Sequence, residues 1–443
     1  MAEYQITYWR DIPSMVMARE GRQNRTRVEL PQRFQVAIDE AAMRLDLVGT
    51  DAYTEEFHRT NWEERAGSHE DVAYAVAAEL EAQFTPQRIR EILRGYGGND
   101  ANSDQDASDS QLMQWLQEGR ILLSDGAMGT MLFASGLTDG GAPELWNVTN
   151  PDKVKAVYQA YVDAGSNIIC TNTFGGTSAR LKMHNLQDRV IELNRAGVQL
   201  AREVADKVGV LVAGSVGPSG ELIEPVGPLS IADAQAIFAE QIQGLVEGGV
   251  DLILVETMSH LNEVIAAAKA ARQVAPHIPL ATTMSFDTNL HTMMGVSPRE
   301  AVEQLARFGV KIIGANCGNG SDDMAHIATQ LAQYRPEGVY LMVQSNSGLP
   351  QYADGKIVFA GTPEVMADYA KQMRNLGINI IGACCGSTPA HIAAMRNALD
   401  ATKDQPIAGP PPIEEASGAI ESAESRAARA AARRAERRQR VEA

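Results

Sequence analysis

The sequence predicts an α/β protein whose main part is a (β/α)8 barrel, and three observations carry this prediction. Between residues 111 and 402, eight short apolar runs alternate with amphipathic stretches of helical spacing. Many of these stretches end in a glycine just before the next run, as a left-handed helix C-cap requires. No Gly-x-Gly-x-x-Gly follows the first run, which argues against an open, doubly wound sheet. Eight strand–helix units in about 290 residues fit a closed barrel.

The predicted elements of the barrel follow one another along this part of the chain. The strands are 121–124, 167–171, 210–215, 252–256, 280–285, 311–315, 339–344 and 378–383. The helices include 151–164, 188–208, 231–247, 262–274, 298–308 and 363–376. The glycines expected to end helices are Gly165, Gly209, Gly249, Gly309 and Gly377.

Residues 1–97 are expected to form a small α+β domain of unknown role. Short strands are predicted at 4–9, 14–18 and 25–30, and helical spacing covers 31–45 and 71–84. Thr85 followed by Pro86 is typical of an N-cap and a first helical position, which predicts one more helix. We interpret the polar stretch 58–64 as a solvated loop.

Two polar segments flank the barrel, which is assigned to residues 115–402. Residues 98–114 predict an acidic, polar linker. Residues 403–443 predict a flexible Pro-rich linker followed by an Ala/Arg-rich tail, with seven arginines between 425 and 440. Alanine and arginine favour helix, and many of these arginines are spaced by three or four, so the tail is expected to be a basic helix. It is interpreted as a solvated tail, with docking to an acidic partner as the alternative.

Composition excludes several classes of function. The 443 residues carry a net charge of −17 and a pI near 5.0, which argues against a nucleic-acid partner. No apolar run is long enough to span a membrane, and the first residues lack the basic and apolar regions of a secretory signal. Four cysteines, two of them adjacent, make a poor disulfide framework, so we expect a reduced, cytoplasmic protein. The oligomeric state stays open, a homo-oligomer included.

Three of the four cysteines stand where strands of the barrel end. Cys317 follows the sixth strand, and Cys384 and Cys385 follow the eighth. Thiolate sulfur selects zinc, and three protein ligands with one replaceable position describe a catalytic rather than a structural site. These cysteines therefore predict a zinc site whose substrate supplies the fourth ligand. Cys170 lies within the second strand and is expected to be a packed core thiol.

Other distinctive residues also fall at the carboxyl ends of strands, where barrels of this class hold their active sites. The first strand ends in Asp125, Gly126 and Ala127, and the glycine lets backbone N–H groups approach a small anion. Polar residues end three more strands, at 171–175, at 256–257 and at 344–348. The sequence thus predicts one site at this end of the barrel.

These motifs resemble, in order and setting, those of the homocysteine S-methyltransferase family. The matching stretches are 125–130, 171–175, 214–218, 256–257, 314–318, 346–350 and 382–386. The resemblance covers roughly 115–400 and implies a zinc-dependent methyltransferase that binds homocysteine and forms methionine. Residues 1–97 faintly resemble a small family labelled virulence factor, which accompanies corrinoid methyltransferases in bacteria.

The resemblance also implies a role for individual residues. Cys317, Cys384 and Cys385 would bind zinc, and the sulfur of homocysteine would take the fourth position. Asn346 matches the residue that fills this position before substrate arrives. The substrate residues would be Gly126 and Ala127, whose N–H groups face its carboxylate, Glu256 and Asp125, which hold its ammonium, and Asn172.

The methyl donor is less clearly indicated. A betaine donor needs aromatic faces around its quaternary ammonium, but Gly175 and Thr257 stand where the betaine branch of the family has aromatic residues, and Trp146 is offset. The residues at 171–175 resemble those of the homocysteine module of cobalamin-dependent methionine synthase, whereas His260 resembles the residue that the betaine branch has at this position. The sequence has no Asp-x-His-x-x-Gly cobalamin motif. We therefore expect methylcobalamin on a corrinoid protein supplied in trans, with the chain as one component of a split methionine synthase.

Two alternatives remain at this point. One is a methyltransferase that uses betaine or another small methyl donor. The other is a non-catalytic zinc-binding regulator that kept the barrel, against which the retained Asp125, Glu256 and Asn346 argue. Residues 1–97 and the arginine tail carry no chemistry of their own, so either is a hypothetical dock for the corrinoid protein.

Overall fold

The structure is a computed structural model that describes residues 1–21, 24–45, 47, 51–96, 107, 110–138, 140–224, 226–353 and 356–413. Within these residues it contains an eight-stranded parallel sheet, a five-stranded antiparallel sheet and a two-stranded hairpin. The predicted linker residues 98–106, 108 and 109 and the arginine tail at 425–440 lie outside the described residues.

The eight predicted barrel strands are all present, and each is parallel to its neighbours. They are Leu122–Leu123, Ile168–Cys170, Leu211–Val216, Leu252–Met258, Leu280–Met284, Ile312–Cys317, Tyr340–Ser345 and Ile380–Ala383. We number them one to eight. The first strand pairs with the eighth, and a single bridge from Ser124 to Ile168 joins it to the second. The Asn167 side chain reinforces this seam, because its Oδ1 accepts the Leu123 N–H at 2.9 Å. The (β/α)8 barrel is thus confirmed.

Helices surround the strands, and most begin and end within a few residues of the predicted positions. The α-helices of this part are Gln111–Gln117, Met128–Ala134, Trp146–Thr149, Pro151–Asp163, Ser178–Leu181, Val190–Ala205, Ile231–Gly248, Leu261–Val274, Pro298–Arg307, Ser321–Gln333, Pro363–Asn375 and Pro389–Thr402. Short 3-10 helices cover Pro143–Leu145, Lys182–His184 and Gln187–Arg189, and the hairpin consists of Pro350–Ala353 and Lys356–Phe359. All five glycines expected to end helices have positive φ, between 71° and 93°.

The two ends of the barrel differ in what closes them. Alternate strand residues such as Ile168, Leu252 and Ile312 form an apolar interior, and Leu112 and Leu116 pack against it. These leucines belong to the helix Gln111–Gln117, so this helix covers the amino ends of the strands. The carboxyl ends of the strands carry the polar motifs, so a reaction site is expected at this end of the barrel.

The N-terminal residues form a separate antiparallel sheet with its own hydrophobic core. Its strands are Ala2–Trp9, Ile12–Glu20, Asn24–Glu29, Phe57–Arg59 and Glu63–Arg65, and its helices are Gln32–Arg44, Asp51–Glu55, His69–Gln83 and Pro86–Gly95. The small α+β fold is confirmed. The loop predicted at 58–64 is wrong at both ends, because its first and last residues belong to the strands Phe57–Arg59 and Glu63–Arg65. Both short strands pair antiparallel with the first strand, and between them the Thr60 N–H donates to Ile6 O at 3.0 Å.

The segment after the last helix differs from the flexible linker that the sequence predicts. The guanidinium of Arg374, 4% exposed, donates to the carbonyl oxygens of Lys403 and Gln405, and Gly409 N–H donates to Asn375 O at 2.9 Å. Prolines at 406 and 410–412 keep the chain extended without competing for these bonds. The described part of this segment, to residue 413, therefore lies along the barrel. In the part of the chain that the structure describes, no helix is long and apolar enough to cross a bilayer.

Candidate metal and substrate site

A cavity of about 490 Å³ opens at the carboxyl ends of the strands. Eight of the nine residues named from the sequence line it, the exception being Asn346. They are Asp125, Gly126, Ala127, Asn172, Glu256, Cys317, Cys384 and Cys385. Strands separated by up to 260 residues thus bring the predicted side chains into one pocket, as the barrel topology requires.

The three cysteines form a compact cluster in this cavity. Their sulfur atoms all lie within 4.8 Å of one another, and the Sγ atoms of Cys317 and Cys385 are 3.9 Å apart. Tetrahedral zinc with Zn–S bonds of about 2.3 Å separates its sulfur ligands by roughly 3.8 Å. The spacing therefore fits one zinc ion, and within the described ranges this is the one group of three or more such ligands.

The backbone that presents these sulfurs is unusual. Cys317 has a φ of 64°, in the left-handed region that non-glycine residues seldom adopt, and Gly318 follows with a φ of 75°. Cys384 and Cys385 lie in a tight turn that the Ser387 N–H closes on Cys384 O at 3.2 Å. The Cys384 N–H donates to Ser345 O at 2.7 Å, so the turn is fixed to the seventh strand. Backbone strain of this kind persists where the surrounding structure imposes it, commonly at functional sites.

The three clustered thiols shift one another's pKa. Hydrogen bonds from the thiols of Cys384 and Cys385 hold the pKa of Cys317 down to about 3. The same contacts with Cys317 raise the pKa of Cys384 well above its ordinary value and that of Cys385 to about 12. Three thiolates this close therefore need a cation between them, which is what a zinc ion provides.

Asn346 supplies a further observation that fits a metal. Its Nδ2 donates to Gly318 O at 2.6 Å, and its side chain helps to lower the pKa of Cys317. Its Oδ1 is buried and has no hydrogen-bond partner among the described residues. A buried carbonyl oxygen without a partner is costly, and metal coordination would satisfy it. Three sulfurs and this oxygen form a donor set that zinc accepts.

Two carboxyl groups lie deeper in the same cavity. Asp125, 1% exposed, accepts the N–H of Cys170 at 2.8 Å, and part of Glu256 is open to the pocket. Glu256 accepts a hydrogen bond from Ser215 Oγ. Burial raises the pKa of both carboxyls to about 7. Neither forms an ion pair with any residue that the structure describes, so both can accept a cation from a ligand.

The turn of Gly126 and Ala127 is in direct contact with the cysteine turn. A Cβ on Gly126 would lie 2.4 Å from Ser387 Oγ, which explains the glycine. The Ala127 N–H already donates to Ser387 Oγ at 3.0 Å, and Tyr161 donates its hydroxyl hydrogen to Ala127 O at 3.0 Å. A substrate carboxylate at Ala127 would therefore have to share or displace the Ser387 bond.

Asn172 holds the wall of the cavity. Its Nδ2 donates to Pro143 O at 2.7 Å and to Asn147 Oδ1 at 3.0 Å, which uses both amide hydrogens. Glu144, buried and not identified from the sequence, accepts the Gly175 N–H at 2.7 Å in the same wall. Burial raises the pKa of Glu144.

Other residues that the sequence singled out have structural positions. Cys170 is buried in the apolar interior, as expected of a packed thiol, and also borders the inner end of the cavity. His260 caps the helix Leu261–Val274, because its Nδ1 accepts the Asn262 N–H at 3.1 Å. This capping role accounts for a histidine at the position where the sequence resembles the betaine branch.

Two functional contacts escaped sequence reasoning. Ser387 follows the cysteine pair and reaches Ala127, 260 residues away, and Asn316 precedes Cys317 and reaches Glu256. Their only signal in the sequence is that each neighbours a cysteine motif.

The fold is that of a (β/α)8-barrel protein with a candidate metal site at the carboxyl ends of its strands. Comparison with known proteins identifies its family. Residues 122–399 match the family model described as homocysteine S-methyltransferase, and residues 7–93 match one described as virulence factor. The chain belongs to the homocysteine S-methyltransferase family and is a methyltransferase.

Individual relatives give the same result. The chain is 31% identical over 313 residues to a methionine synthase of Mycobacterium tuberculosis and 29% identical over 318 residues to that of Mycobacterium leprae. These matches cover 67% and 68% of this chain but only 26% of each relative.

Solved structures are also similar. The homocysteine methyltransferase MmuM from Escherichia coli, in its metallated form, has 27% identity and a TM-score of 0.55, over 65% of this chain and 99% of that one. The apo form of the same enzyme has 25% identity and a TM-score of 0.50, over 66% of this chain and 99% of that one.

Proposed function

We propose that this protein is a zinc-dependent homocysteine S-methyltransferase that forms methionine. The observation that carries the proposal is the three-sulfur cluster in one cavity with two unpaired carboxyl groups. The unpartnered Asn346 Oδ1 supports it. Homocysteine has complementary chemistry, since it combines a thiol with an ammonium and a carboxylate. The metallated form of the similar Escherichia coli enzyme supports the metal.

Each end of the substrate has a matching group in the cavity. Cys317, Cys384 and Cys385 would hold zinc, with Asn346 as the displaceable fourth ligand. When bound, zinc would lower the pKa of the substrate thiol and keep its sulfur a nucleophilic thiolate at neutral pH. The carboxylate of Glu256, with Asp125 behind it, would receive the ammonium.

Binding of the substrate carboxylate and transfer of the methyl group both depend on how the substrate is positioned. Gly126 and Ala127 would present their N–H groups to the substrate carboxylate, and Asn172 would keep the wall in place. The substrate sulfur then attacks the methyl carbon, a carbon–sulfur bond forms, and the donor leaves with the electron pair of the broken bond. In-line approach is a matter of positioning, so no further general base is required.

We propose a methylcorrinoid, carried by a partner protein, as the methyl donor. Phe174 is the one phenyl, phenol or indole ring among the described residues that line the cavity, too few for a cage around a quaternary ammonium. Met183, which lines the cavity, is exposed, and so are Met293 and Leu349 in the segments that follow strands five and seven. Exposed apolar side chains at this end of the barrel suit a large, apolar partner surface. The 443 residues have no cobalamin motif of their own, so the corrinoid would be presented by another polypeptide segment.

The experiment is methionine formation by the purified, zinc-loaded protein with homocysteine and either methylcobalamin or glycine betaine. We expect turnover with methylcobalamin alone. Turnover with betaine alone would contradict the corrinoid donor but not the methyltransferase. Absence of homocysteine binding to the zinc-loaded protein, measured by calorimetry, would contradict the whole proposal.

A further inference from the structure

One buried side chain links the proposed ammonium site to the proposed metal site. Asn316 is 1% exposed and directly precedes Cys317 at the end of the sixth strand. Its Oδ1 accepts the Thr257 N–H at 2.8 Å and the Thr283 hydroxyl hydrogen at 2.7 Å. Its Nδ2 donates to Thr257 Oγ1 at 2.7 Å and to Glu256 Oε2 at 3.4 Å. All of its hydrogen-bonding capacity is therefore used on strands four and five.

The residue that Asn316 holds most tightly is strained. Thr257 has a φ of 62°, which is an outlier for a β-branched side chain. Asn316 bonds both the N–H and the hydroxyl of this residue, so it fixes the peptide that follows Glu256. Cys317, next to Asn316 itself, has the same left-handed backbone. Asn316 is therefore linked to two strained residues: its side chain bonds Thr257, which follows Glu256, and its backbone directly precedes Cys317.

We propose that Asn316 is a positioning residue that couples the two ends of the substrate. It orients the Glu256 carboxyl toward the ammonium and, through the adjacent Cys317, sets the distance from that carboxyl to the metal-held sulfur. This inference rests on the proposed function. It adds that selection of the amino group and metal ligation depend on the same side chain.

The test uses Asn316→Asp, which keeps an acceptor for Thr257 N–H but removes the NH2 group and places a second acid against Glu256. Asn319→Asp is the matched control, since Asn319 lies three residues further along, after Cys317, and donates to Asp287 O and Asp323 instead. Calorimetry with the metal-loaded proteins compares homocysteine with 4-sulfanylbutanoate, which lacks only the ammonium. Competition with a chelator measures zinc affinity, and thermal unfolding reports on the fold.

We expect the preference for homocysteine over 4-sulfanylbutanoate, and the zinc affinity, each to fall about tenfold in Asn316→Asp, the lower end of what residues supporting a metal ligand contribute. Asn319→Asp should change neither. A purely structural role would lower the stability and leave the preference unchanged, which would overturn the inference while the proposed function stands.

A second variant separates positioning from relief of strain. Glycine adopts a φ near 62° without cost, so Thr257→Gly removes both the strain and the hydroxyl that Asn316 binds. The double variant Asn316→Asp/Thr257→Gly should still lack the preference, because the bond to Glu256 is still missing. Recovery of the preference in the double variant would overturn the inference. A wild-type protein that binds both thiols equally would instead overturn it together with the proposed role of Glu256.

Discussion

Two carboxyl groups among the N-terminal residues and two at the mouth of the barrel are in opposite situations. Glu56 pairs with Arg10, and Glu79 forms two hydrogen bonds with Arg65 at 2.6 and 2.8 Å, so the pKa of each glutamate is lowered by its arginine. Asp125 is buried and Glu256 half-buried, neither with a cation from the described residues, and their pKa values rise to about 7. Arginines of the chain thus pair the first two acids, whereas the two acids of the cavity are left for a ligand. The cysteines show the same contrast. Three of them form the candidate metal cluster, whereas Cys170 is packed in the apolar interior.

The largest effect is expected from the cysteine cluster. Replacing Cys317, Cys384 or Cys385 by serine should abolish stoichiometric zinc binding and lower methyl transfer by on the order of 10³-fold, because the substrate thiol is then mostly protonated. Cys170→Ser, the matched control, should keep its zinc and most of its activity. Metal analysis and turnover assays decide, and a Cys170 variant as inactive as the others would remove the distinction between the two kinds of cysteine.

Glu256→Gln should separate what this carboxyl contributes to homocysteine binding from what it costs in stability of the folded protein. Losing the acceptor for a buried ammonium should weaken homocysteine binding by about 100-fold. The folded protein should become more stable at pH 8 by about 1–3 kcal/mol, since it no longer holds a buried carboxylate whose pKa is raised. Calorimetry and denaturant unfolding measure the two effects. A variant that loses stability at pH 8 would show that the carboxyl is satisfied by the chain after all.

The pH dependence of binding follows from the same carboxyl groups. A raised pKa means that the folded state holds the proton more tightly, so these acids reduce stability as pH rises from their ordinary pKa near 4 to about 7. Ammonium binding needs the charged form, so homocysteine affinity should fall roughly tenfold as pH falls from 8 to 6. Titrations with 4-sulfanylbutanoate isolate the contribution of the thiol. Equal pH dependence for both thiols would indicate that these carboxyls do not meet the ammonium.

The smallest effect is expected among the N-terminal residues. Glu79→Gln removes an exposed ion pair with Arg65, and exposed pairs of this kind contribute little to stability. Unfolding should shift little, and homocysteine affinity should be unchanged. A loss of affinity in this variant would reveal a link between the N-terminal residues and the barrel site.

The strands and the cluster could be predicted because their signals are local. Apolar runs, capping glycines such as Gly249 and cysteines at strand ends each occupy a few consecutive residues, and the barrel rule places strand ends together. The contacts of Ser387 and Asn316 could not be predicted, since they join residues far apart in sequence through side chains of ordinary type. The stretch 58–64 was misread because its two strands have three residues each, too short for an alternating pattern.

The seam of the barrel has a consequence for the order in which this protein can assemble. The first strand has two residues, and its partners are the eighth strand and a single bridge to the second. The ring therefore cannot close until residues 380–383 have been synthesised and docked, and the two residues after Ala383 carry two of the three clustered sulfurs. Until the eighth strand docks beside the seventh, Cys317 lies apart from Cys384 and Cys385. The three-sulfur cluster thus forms only once the last strand has docked, so a metal held by all three sulfurs reports that docking.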